Sequence, residues 1–72
     1  MTDRVYKVVE LVGSSGESTD DAIRTAINRA SRRLRKLRWF EVVQTRGVIE
    51  DGAVSSYQVV LKVGFTLDTA DQ

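Results

Sequence analysis

The amino-acid sequence predicts an α+β fold of strand, helix, strand, strand order, with residues 1–72 as one domain and a three-stranded antiparallel sheet in the order 1-3-2. Three observations carry this reading: one helical apolar periodicity between Ala22 and Leu37, strict alternation from Tyr57 to Leu67, and an Asp51-Gly52 pair between two strand-like segments.

The first strand is expected over residues 4–12, where Val5, Tyr6, Val8, Val9, Leu11 and Val12 supply β-branched and aromatic side chains. The turn-rich segment Gly13-Ser14-Ser15-Gly16-Glu17 closes it. Ser18-Thr19-Asp20-Asp21 then has the pattern of a helix N-cap followed three residues later by an acid, with two carboxylates where the helix dipole favours negative charge. From there Ala22, Ile23, Ala26, Ile27, Ala30, Leu34 and Leu37 form one apolar stripe over roughly four to five turns. Alanines in the stripe allow a close approach.

A second strand is expected from Trp39 to Glu50, with a phase change: Phe40 and Val42 share one parity, Val43 and Ile49 the other. A β-bulge between them accounts for the switch. Asp51-Gly52 suits the positive backbone dihedrals of a tight hairpin. In the third strand Tyr57, Val59, Leu61, Val63, Phe65 and Leu67 share one face, and Ser56, Gln58, Lys62, Gly64 and Thr66 lie on the other, with Val60 its one apolar member. Residues 68–72 read as a frayed polar tail. A helical crossover makes the second strand parallel to the first, so placing the third between them makes every pairing antiparallel. One helix covers one face of such a sheet, and the other face must meet water, other subunits or a ligand.

Composition narrows the chemistry. The chain has no cysteine and no histidine, which removes the thiol nucleophile, the imidazole base and the usual zinc ligands. No catalytic residue and no metal site is expected. A domain of 72 residues has a small core, and without disulfides or metal the remaining route to stability is self-association. Its 42% hydrophobic and 29% charged residues describe an ordinary globular chain, with no apolar run long enough for a membrane helix and no signal-like N-terminus. A cytoplasmic protein with no membrane partner is expected.

Three features exceed what a two-layer domain requires. Trp39, the one tryptophan, serves a core or interface in its ordinary use; if Phe40 packs beneath the helix, however, Trp39 points to the open face as a stacking platform. Gln58, on the polar parity of the third strand, is either a solvated side chain or a paired donor and acceptor for the edge of a planar heterocycle. Between Arg24 and Arg38 stand seven basic residues and no acidic one, although the net charge is only +1. Cations near a helix C-terminus complement its dipole and keep the outer face solvated. The alternative is a basic helix for nucleic acid or a nucleotide phosphate, though no recognisable nucleic-acid-binding motif accompanies it.

Tyr6 to Gly13, Trp39-Phe40-Glu41-Val42, Arg46-Gly47 and Tyr57 to Phe65 are ordered blocks that together resemble the dodecins, small flavin-binding proteins. The resemblance implies a hollow homododecamer in which the sheet wraps around one helix and pairs of flavins stack between tryptophans of neighbouring subunits. By that likeness Trp39 stacks on the isoalloxazine and Gln58 hydrogen-bonds its pyrimidine edge. Bacterial members resemble this chain in having arginine at the position of Arg46, associated with a flavin that carries phosphate, so FMN is the expected ligand and riboflavin or FAD the alternatives. Some bacterial members also bind coenzyme A near basic helix residues, a role that Arg29 and Arg33 would take here. Thr66 stands where those relatives often have arginine, which removes one cation from that second site. The implied function is flavin storage and quenching of flavin photochemistry. A flavin-dependent enzyme is the competing class, but stacking buries both faces of the ring, and histidine is absent.

Overall fold

A computed structural model describes residues 3–67. The elements are β1 (Tyr6–Ser15), α1 (Thr19–Ala30), β2 (Leu37–Glu50) and β3 (Ala53–Thr66), and the sheet is antiparallel with the order β1-β3-β2. Fold class, topology and strand order are those the sequence predicts. The tail expected over residues 68–72 lies outside the described residues.

Helix α1 starts as its sequence directs: Ser18 is extended (φ −168°), and its hydroxyl accepts from the Asp21 N–H at 3.0 Å. Ser15 braces the entry from β1. Its hydroxyl donates to Asp21 Oδ2 at 2.7 Å and accepts from the Glu17 N–H at 2.9 Å, so the turn between strand and helix closes on one buried oxygen.

The helix ends earlier than the apolar stripe. It stops at Ala30, four residues before Leu34 would join the stripe, and tightens through bonds from the Arg32 N–H to Arg29 O and the Arg33 N–H to Ala30 O. Lys36 is left-handed (φ 62°) and turns the chain towards the sheet. Leu37 is therefore the first residue of β2 and reaches the core from the sheet, while Leu34 lies in the connecting turn. The expected burial of Leu37 is met by a different element.

Ala22, Ala26, Val59, Leu61 and Val63 form the buried core, with Val9, Leu11, Ile23, Ile27 and Leu37 around it. Gly13 lets the helix approach: a Cβ there would collide with the Ala22 carbonyl and come within 3.0 Å of Ala26 Cβ. The helix lies over β1 and β3. Phe40 is on the helix side of β2, in register with Val63, where it borders a groove beside α1 with Ile23 and Ile27, and remains 47% exposed. The expectation that it packs beneath the helix is met in direction but not in burial.

The hairpin turn has Asp51 at φ 53° and Gly52 at φ 76°, both left-handed, with Glu50 opposite Ala53. Register shifts occur between Leu37 and Trp39, between Val42 and Gln44, and between Val48 and Ile49. The second leaves Val43 as the extra residue, which is the bulge expected from the change of parity. It restores Gln44 and Arg46 to the face that carries Trp39.

Candidate functional site

The face turned away from the helix is fixed by register. Along β3 its members are Gln58, Val60, Lys62 and Gly64; opposite them stand Ser14, Val12, Glu10 and Val8 on β1, and Arg46, Gln44, Glu41 and Trp39 on β2. All three flavin-site residues expected from the sequence lie on this one face.

Trp39 stands opposite Gly64, where the register places no side chain against it. A Cβ on Gly64 would lie 2.8 Å from Trp39 Cδ2 and nearer still to Cε2 and Cζ2. Three ring carbons surround that one point, which happens above a ring face and not beside an edge. The indole therefore covers the Gly64 backbone with one face. Tyr6 meets it from β1, with ring centroids 5.9 Å apart and planes at 69°, an edge-to-face contact. At 39% exposed, Trp39 keeps surface open on a face that no helix covers.

At the other end of the face, Arg46 Nε donates to Gln58 Oε1 at 2.8 Å. Bonding the carboxamide oxygen to a guanidinium fixes which end of the amide points away from it. The two ends of the face are not brought together. Gln58 and Gly64 are six steps apart along β3, about 20 Å at the rise of a strand. A single heterocycle stacked on Trp39 cannot have its edge at Gln58 of the same chain.

The basic residues occupy a separate region. Arg29 and Arg33 line a groove of about 490 Å³ with Val9, Leu11, Ala26 and Leu34, between α1 and the β1 edge. The Thr66 hydroxyl accepts from Arg38 Nε at 3.1 Å, so a guanidinium from β2 sits on the position from which the sequence had removed a cation. Sequence reasoning missed two residues that shape the Trp39 site. Gly64 carried a signal, as a glycine inside an otherwise regular strand; Tyr6 carried none without the register.

A two-layer β-α-β-β protein whose uncovered sheet face holds an aromatic platform and an oriented carboxamide is defined by these features. The chain belongs to the dodecin family, of the bacterial type: the family model described as Dodecin matches residues 5–68. Dodecin of Thermus thermophilus is 54% identical over 65 residues, which cover 90% of this chain and 94% of that protein. Among solved structures, dodecin from Streptomyces coelicolor aligns with a TM-score of 0.90 and 54% identity, covering 96% of this chain and 99% of that one. Dodecin from Streptomyces davaonensis aligns with a TM-score of 0.89 and 50% identity over 94% of this chain and all of that one.

Proposed function

We propose that this protein binds FMN in a homododecamer, holds it as a store and quenches its photochemistry without carrying out a reaction on it. Family membership supports the flavin class. The observation that carries the reading is the Trp39 indole laid face-down on Gly64, because it offers an oxidisable aromatic face of the kind that stacks with an isoalloxazine. Arg46 supplies a cation for the phosphate of FMN, and Gln58 the contact to the pyrimidine edge. Since Trp39 and Gln58 of one chain lie about 20 Å apart along β3, a ring that uses both draws them from two chains. Assembly is then part of the binding site. Val8 and Val12, exposed on the same face, give that assembly apolar surface to bury.

Stacking on an electron-rich indole permits rapid light-driven electron transfer to flavin and back. The indole covers one face of the ring, and the flavin pairing that the family resemblance implies covers the other, which favours storage over catalysis. Among the described residues no helix is long and apolar enough to cross a membrane, in keeping with a proposed cytoplasmic location. The test is direct: protein purified from its own cells is denatured, and the released material is characterised by absorption spectrum and mass. FMN at a ratio approaching one per chain is the expected result, and release of nucleic acid without flavin overturns the reading. Coenzyme A in the same material would assign the Arg29 and Arg33 groove as a second site.

A further inference from the structure

The geometry points to Gly64 and Tyr6 as positioning residues that hold the Trp39 indole flat, with one face closed, so that each chain offers a planar heterocycle a single stacking surface. This inference rests on the flavin reading for its ligand. It does not rest on that reading for its geometry.

Gly64 is buried near the C-terminal end of the central strand β3, where glycine forgoes side-chain packing and weakens the strand. Its backbone does not call for glycine: Gly52 is the one glycine with positive φ among the described residues. Space does. The ring carbons Cδ2, Cε2 and Cζ2 of Trp39 occupy the place that any Cβ at position 64 would take. A methyl group there must tilt or lift the indole, since the other side of the contact is sheet backbone that cannot yield. Closing one ring face against the backbone leaves only the opposite face for a ligand, which limits each tryptophan to one stacked ring.

Tyr6 supplies the second restraint. Its ring meets the indole at 69° with centroids 5.9 Å apart, a contact that restrains the indole without stacking parallel to it. Tyr6 pairs in register with Thr66 and Trp39 with Gly64, so the contact crosses β3 from one edge strand to the other. Gly64 fixes the height of the indole over the sheet, and the Tyr6 contact limits its movement. Covering a strand glycine with an aromatic also supports the sheet itself, and a purely structural role of that kind would alter stability without altering ligand contact.

The test compares the parent with Gly64→Ala and Tyr6→Leu, each as the assembled full chain freed of ligand and checked by far-UV circular dichroism. FMN affinity is measured by separation of bound from free ligand, and acrylamide quenching is measured on Trp39, the only tryptophan of the chain. The expected result is FMN binding weaker by roughly 10-fold or more in Gly64→Ala and by roughly 3- to 10-fold in Tyr6→Leu, with Trp39 more readily quenched in both. Unchanged affinity together with unchanged quenching in variants that fold overturns the proposal. Should Gly64→Ala fail to fold, Tyr6→Leu decides by the same two readouts. Should the parent not bind FMN, the flavin reading falls, and the quenching measurement alone decides the inference: raised quenching upholds it and unchanged quenching overturns it.

Discussion

Arg46 and Gln58 face each other across the β2–β3 pairing, and the guanidinium Nε donates to the carboxamide oxygen at 2.8 Å. A guanidinium has five N–H donors, so one can orient Gln58 while others meet a phosphate. On the proposed function, Arg46 would serve both ends of a phosphorylated flavin, the heterocycle edge through Gln58 and the phosphate directly.

Arg46→Ala should weaken FMN by roughly 10-fold or more, from the loss of charge-assisted hydrogen bonds worth about 1.5–3 kcal/mol. Riboflavin, which lacks the phosphate, should lose only the smaller share that comes from releasing Gln58. Titration of both ligands at fixed ionic strength measures the difference, and added salt should narrow it if the contact is partly exposed. Equal losses would mean that Arg46 acts only by orienting Gln58.

Much of this arrangement was legible in the sequence, for identifiable reasons. The alternation of β3 and the Asp51-Gly52 turn carry local information, and both elements formed as expected. The end of α1 did not follow from local information, because Leu34 and Leu37 continue the helical spacing while the left-handed turn at Lys36 redirects the chain. The open face of Trp39 was readable from parity, and Val43 announced the bulge that returns Arg46 to that face. The contact of Trp39 with Gly64, and the distance from Trp39 to Gln58, depend on register across three irregularities, which spacing alone does not determine.

Trp39 and Gln58 should separate affinity from light emission. Trp39→Ala removes the stacking surface, worth ~1–3 kcal/mol on the scale of base–aromatic stacking, and should leave the flavin that still binds fluorescent. Gln58→Ala should weaken binding by roughly 0.5–1.5 kcal/mol, more if the ligand atoms it served stay buried, with the bound flavin remaining dark. Flavin emission followed alongside a separation-based measure of bound ligand resolves the two effects. Flavin as dark in Trp39→Ala as in the parent would move quenching to the paired flavins or to Tyr57.

Assembly should depend on the helix-free face. Val60, only 9% exposed, and its register partner Val12, 54% exposed, both lie there. A lysine at either position would place a charge in an interface that desolvates it. Val12→Lys imposes little burden on the single chain, because the side chain starts in solvent, so light scattering should show smaller species while the helical circular dichroism signal persists. Val60→Lys should produce the same change with a larger loss of stability. A full-size assembly in Val12→Lys would place this part of the face outside the subunit contacts.

The distance between Trp39 and Gln58 predicts complementation between two defective chains. If one ring is stacked by Trp39 of one chain and met at its edge by Gln58 of another, Trp39→Ala assemblies lack the platform at every site and Gln58→Ala assemblies lack the edge contact at every site. Mixed assemblies, made by unfolding the two variants together and refolding them, differ from both. Sites that draw Trp39 from a Gln58→Ala chain and Gln58 from a Trp39→Ala chain are complete, while the reciprocal sites lack both groups. FMN titration of the mixture should therefore reveal a subset of sites with parental affinity and dark flavin, absent from either variant refolded alone. A site built within one chain gives the opposite result, because every chain in the mixture carries one lesion and no parental site can form. The observed spacing, six steps along β3 from the register partner of Arg46 to that of Trp39, favours the first outcome.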